Sequence, residues 1–123
     1  MKETIPTESV EQATLVAWLK RSHPSLRMFS IPNGAHLAGS IAQRSKQVQK
    51  LKLQGMEPGV CDLMLPCARK GYHGLFIEMK RKKGGTTSSE QKEWIQYLSE
   101  QGYKAEVCKG WESARDLIIE YLS

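Results

Sequence analysis

A chain of 123 residues has room for one domain with one apolar core. Hydrophobic content of 40% and charged content of 25% fit a globular fold, and no stretch reaches the roughly 18 apolar residues of a membrane span, so neither a membrane protein nor a disordered chain is expected. The net charge of +5 favours a polyanionic partner, and three cysteines (Cys61, Cys67, Cys108) with no CxxC pair argue against a disulfide scaffold and for a reducing compartment.

Residues 1–6 read as a loose polar leader, not a signal peptide. From Glu8 to Leu19 the sequence is helical, with Leu15, Trp18 and Leu19 forming a core-facing stripe. Thr7 or Ser9 can cap this helix, and Pro24 follows its end. Glu8, Glu11 and Gln12 lie one turn below the stripe, where acids also suit the helix dipole. Arg27 to Ile31 reads as a strand closed by Pro32 and a turn at Asn33-Gly34. Ser40 to Gln54 reads as a basic helix with a thin apolar stripe of Ile41, Val48 and Leu51, stopped by Gly55. Its cations Arg44, Lys46, Lys50 and Lys52 are either solvated or aimed at phosphates.

The stretch Gly59 to Lys80 carries the chemistry. Two short apolar runs, Val60-Cys61-Asp62-Leu63-Met64-Leu65 and Leu75-Phe76-Ile77-Glu78-Met79-Lys80, are bounded by Gly and Pro and read as a hairpin. Alternation puts Phe76, Glu78 and Lys80 on one face of the second strand and Leu75, Ile77 and Met79 on the other. Charges at the end of a buried strand are costly unless compensated, and a hard divalent cation would compensate carboxylates.

Lys80-Arg81-Lys82-Lys83-Gly84-Gly85 follows as a basic loop suited to phosphate contact. Ser88 and Gln91 fit a capping box opening a helix with Trp94, Ile95 and Leu98 on its apolar face. Lys104 to Cys108 reads as a last strand, and Trp111, Ala114, Leu117, Ile118, Tyr121 and Leu122 mark an amphipathic C-terminal helix. The order α, β, α, β, β, α, β, α predicts an α/β fold, a mixed sheet flanked by helices, as one domain over residues 1–123. Zinc is a weaker reading: Cys61, Cys67 and His73 supply three ligands at wide spacing, whereas structural zinc needs four.

Asp62 followed by Glu78-x-Lys80 resembles the PD-(D/E)XK nucleases, with Cys61 standing where proline is usual. With Ile31-Pro32-Asn33-Gly34 and the runs around Asp62 and Glu78, the chain resembles the VRR-NUC (virus-type replication-repair nuclease) branch from about Glu8 to Leu122, in its stand-alone phage or bacterial form. The resemblance implies a restriction-endonuclease-like core and a Mg2+- or Mn2+-dependent DNA endonuclease. It implies metal ligation by Asp62, Glu78, the Met79 backbone carbonyl and Glu8, with Glu11 as the alternative to Glu8. Lys80 and Gln91 would complete the catalytic set, with Asn33 close to the active centre, while Arg44, Lys46, Lys50, Arg81, Lys82 and Lys83 face DNA phosphates on the strength of their charge and position.

It further implies a homodimer acting on branched DNA such as four-way (Holliday) junctions in DNA repair, in the cytoplasm of a bacterium or a phage-infected host. Two other readings stay open: a non-catalytic nucleic-acid-binding module, and a small subunit whose apolar C-terminal helix docks a larger protein.

Overall fold

The computed structural model describes residues 4–32 and 39–123, which leaves the turn residue Asn33 outside the described residues. Among the described residues, four helices and four strands appear in the expected order: α1 (Glu8–Ser22), β1 (Phe29–Ser30), α2 (Ile41–Leu53), β2 (Leu63–Leu65), β3 (Leu75–Lys80), α3 (Ser89–Glu100), β4 (Lys104–Lys109) and α4 (Trp111–Leu122). The sheet runs β1-β2-β3-β4, with β1 and β2 antiparallel to their next neighbours and β3 parallel to β4. A parallel pair needs a crossover, and α3 supplies it.

Helix α1 starts where Thr7 accepts a hydrogen bond from the Val10 amide at 3.3 Å, and it ends as the His23 amide bonds the Leu19 carbonyl at 2.8 Å. Its buried line is Glu11, Leu15 and Leu19, spaced by four, so an acid occupies the lowest position of an otherwise apolar row. That row and the buried face of α4 (Ala114, Leu117, Ile118, Tyr121) cover one side of the sheet over Leu63, Leu65, Leu75, Ile77 and Met79. Each buried Leu, Ile or Met among them contributes roughly 1.5–3 kcal/mol on burial. The opposite side, with Phe76 and Ala105, receives Leu98, Trp94 and Ile95 of α3. The alternation expected along β3 therefore holds: odd positions enter one core, while Phe76 begins the other face on which Glu78 and Lys80 follow.

Two ties fix the far end of the molecule. Lys70 caps the C-terminus of α4 through the Glu120 carbonyl at 2.6 Å, and the Tyr121 hydroxyl donates to the Cys67 carbonyl at 2.6 Å. Because the apolar face of α4 is buried in its own domain, only Ile119 of that helix remains a markedly exposed large hydrophobic residue, at 49%.

Strand β1 is shorter than the expected Arg27–Ile31. It lies at a sheet edge and pairs only with the three-residue β2; Ile31 adds one bond to the Asp62 carbonyl at 2.8 Å before Pro32, which has no amide to give. Helix α2 forms through a Ser40–Gln43 capping box at its start, yet among the described residues no other helix or strand packs on it. Ile41 and Leu53 stay 76% and 90% exposed. No described helix is long and apolar enough to cross a membrane.

Candidate active site

Antiparallel pairing of β2 with β3 stops at Leu63 opposite Ile77, so the next rung toward the end of β3 has no backbone partner in β2. The Asp62 side chain supplies one: the Met79 amide donates to Asp62 Oδ2 at 2.8 Å. This bond holds the carboxylate beside Glu78, the neighbour of Met79 on the other face of β3. Cys61, immediately before, is fully buried. Burial first, then the charges of Glu78 and Asp62, push its thiol up to about 12, so it stays protonated at neutral pH.

The approach to Asp62 is pressed against α3. Gly59 has φ +90°, and a Cβ there would lie 2.5 Å from the Glu90 carbonyl carbon, so only glycine fits. The contact sets the first turn of α3, which carries Gln91, beside the segment leading to Asp62.

Glu8 comes from the first turn of α1. Its carboxylate meets those of Asp62 and Glu78 with ligand atoms all within 4.8 Å of one another. Glu78 is 1% exposed and its Oε1 has no hydrogen-bond partner. Burial, then the hydrogen bond and charge of Asp62, hold its carboxyl well above the ordinary carboxylate range. Glu8 is also raised, chiefly by burial and then by Asp62, while Lys80 pulls it back down. Lys80 is buried on the same face as Glu78, its stem against Gly85, and forms no ion pair with the three acids. Three convergent carboxylates with one buried oxygen unmatched fit a hard divalent cation.

Among the other residues singled out from the sequence, Gln91 is half-buried and closes the α3 capping box. Its Oε1 accepts from the Ser88 amide at 2.9 Å, and its own amide donates to Ser88 Oγ at 3.2 Å. The side-chain oxygen is thereby engaged in the cap. Glu11 is buried but lies outside the acidic cluster. Met79 enters through its amide. Arg81 donates to the Ile5 carbonyl at 3.2 Å, tying the basic loop to the N-terminal segment. Lys82 pairs with Glu112 at 3.0 Å, and Lys83 is exposed. Arg44, Lys46, Lys50 and Lys52 stand exposed along α2. Among the described residues, Cys61, Cys67 and His73 form no ligand cluster; the one such group is Glu8, Asp62 and Glu78.

Sequence reasoning missed two features: the Ser40-x-x-Gln43 box, visible as the same pattern recognised at Ser88, and the depth at which Glu11 is buried, hinted at by its place in the Leu15–Leu19 row.

Comparison with known proteins agrees with this fold. A solved structure described as a VRR_NUC domain protein superposes with a TM-score of 0.80 at 29% identity, covering 97% of this chain and 90% of that one. Comparison with curated proteins returned no match. Residues 6–112 match the VRR-NUC domain, and the chain belongs to that family.

Proposed function

We infer that the protein is a Mg2+- or Mn2+-dependent endonuclease that hydrolyses phosphodiester bonds in branched DNA, four-way junctions above all. The observation that carries this reading is the meeting of Glu8, Asp62 and Glu78 around a buried, unmatched oxygen, with Lys80 on the same face of β3. Asp62, Glu78 and Glu8 would hold the cation, joined by the Met79 carbonyl as the family resemblance implies. When bound, such a cation would neutralise the carboxylates, polarise a scissile phosphate and acidify water.

The chain's own groups do the rest. Lys80 presents an ammonium on the face of Glu78, where it orients the attacking water and balances the charge gathering on the phosphate. Gln91, held at the start of α3 by Ser88, offers Nε2 to the same water. Arg81 and Lys83 beside the site, and Arg44, Lys46 and Lys50 on α2, contact backbone phosphates, and the family resemblance adds Asn33 to the DNA-binding residues.

One metal centre cuts one strand per visit, and a four-way junction needs two symmetric cuts. A two-fold homodimer presents two identical sites, and the family resemblance favours that state. The test is cleavage of linear, flapped and four-way DNA with Mg2+, Mn2+ or chelator, comparing wild type with Asp62→Asn, alongside light scattering at micromolar concentration. Metal-dependent paired nicks by a dimer are expected. Binding without any cleavage would leave a nucleic-acid-binding module; a monomer giving single nicks would remove junction resolution.

A further inference from the structure

Glu11 is 2% exposed, and its Oε2 is buried with no hydrogen-bond partner, yet it stands apart from the metal-ligand cluster. It points at the start of α4. That helix has glycine at its N-cap, Gly110, and no side chain bonding its first amides. A Cβ placed on Gly110 would lie 2.8 Å from Glu11 Oε2, so the carboxylate of α1 occupies the space that a capping side chain would otherwise fill. The stem of Lys82 closes the same spot, its Cγ 2.8 Å and its Cε 3.0 Å from that position. The junction continues into the site, because the Gly110 amide donates to the carbonyl of Lys80 at 2.9 Å.

An anion at a helix N-terminus is favoured by the exposed amide dipoles, and the effect is larger where water is excluded. Glu8 and Glu11 are three residues apart and share a face of α1. One reaches Asp62 and Glu78; the other reaches the α4 terminus bonded to Lys80. Rotating α1 by a single residue would turn Glu8 by about 100° and take it out of the cluster. We propose that Glu11 is a positioning residue: it fastens the first turn of α1 to the start of α4 and so fixes Glu8 against Asp62 and Glu78. This rests on the reading of those three acids as a metal site.

The test is a double-mutant cycle on the full chain with wild type, Glu8→Gln, Glu11→Gln and the double variant. In Mn2+ titrations, Glu11→Gln should weaken binding about 10-fold, the lower end for residues that support metal ligands. It should cause no further loss once Glu8 is already Gln. In metal-free protein, Glu8→Gln removes one of three crowded carboxylates and should raise the melting temperature, but not when Glu11 is also Gln. Additive effects in either cycle would overturn the proposal, since a purely structural acid would act independently of Glu8. If Glu11→Gln does not fold, Glu11→Asp keeps the charge and carries the same cycle. If wild type takes up no Mn2+, the metal-site reading fails, while the melting cycle still decides the role of Glu11.

Discussion

Asp62 stands in for a strand. Its Oδ2 accepts the Met79 amide at 2.8 Å just past the last backbone pair between β2 and β3, so one carboxylate completes the sheet ladder and joins the acidic cluster. The two duties separate by substitution. Asp62→Asn keeps an acceptor for Met79 and should fold normally while losing cleavage. Asp62→Ala leaves a partly buried amide unpaired and should lose cleavage and also about 1–3 kcal/mol of stability. Denaturant unfolding of both variants checks this; equal stability would show that the Met79 bond contributes nothing.

Glu78 makes a pH-dependent forecast for the metal-free protein. The unfolded chain releases this proton near the ordinary value of 4.5, whereas burial and Asp62 make the folded chain hold it to higher pH. Over that window the folded state binds more protons, so the Glu78 contribution lowers stability as pH rises above about 4.5. Glu78→Gln should therefore be more stable than wild type at neutral pH, by about 1 kcal/mol or more, with the gap closing toward pH 4. Melting curves in chelator from pH 4 to 8 measure it, and a gap that shrinks with rising pH would refute the burial argument.

Much of this was legible in the sequence because the signals were periodic. The Leu15, Trp18, Leu19 stripe, the alternation of β3 and the apolar face of α4 each name a face, and the structure buries those faces. Asp62, Glu78 and Lys80 stood out because charge interrupts apolar runs. The choice between Glu8 and Glu11 was not legible. Both sit below the same stripe, and only the arrival of α4 and its Gly110 separates the acid at the helix terminus from the acid in the cluster. Periodicity also over-extended β1, whose length is set by how little of β2 it can pair with.

Lys80→Ala should abolish turnover while retaining Mn2+ binding, because Lys80 bonds none of the three acids. Its charge nonetheless favours the ionised forms of Glu8 and Glu78. Without it both acids hold their protons more tightly, so Mn2+ affinity should fall modestly, by no more at pH 8 than at pH 6. Calorimetric titration at the two pH values distinguishes this from direct ligation; a loss as large as that of Asp62→Asn at pH 8 would make Lys80 part of the metal site.

Gln91 can be split at the level of its two amide atoms. The Ser88 amide uses Oε1, a bond that a glutamate would preserve. Gln91→Ala should cost about 0.5–2 kcal/mol, the usual effect of removing a cap. Gln91→Glu should keep the cap and the melting temperature but remove Nε2, and its turnover should fall if that group serves the reaction. A fully active Gln91→Glu enzyme would assign the residue to the cap alone.

Helix α2 gives the cleanest test of phosphate binding, because among the described residues no other helix or strand packs on it. Its Arg44, Lys46, Lys50 and Lys52 are exposed, and the helix contains no acid. Its start is fixed by Ser40 and Gln43 and its end by the Gln54 amide, so changing those cations should leave the fold alone. Replacing Arg44, Lys46 and Lys50 by Gln should shift the melting temperature little, since exposed sites of this kind usually change stability by no more than about 0.5 kcal/mol. DNA affinity should fall without regard to sequence. On duplex arms the slope of log K against log salt should shrink by about 0.9 for each phosphate that is no longer neutralised, close to three units if all three cations touch the backbone. Anisotropy titrations of a catalytically silent Asp62→Asn background across a salt series would measure the slope without cleavage. An unchanged slope would mean that α2 faces away from DNA and that its cations are only solvated.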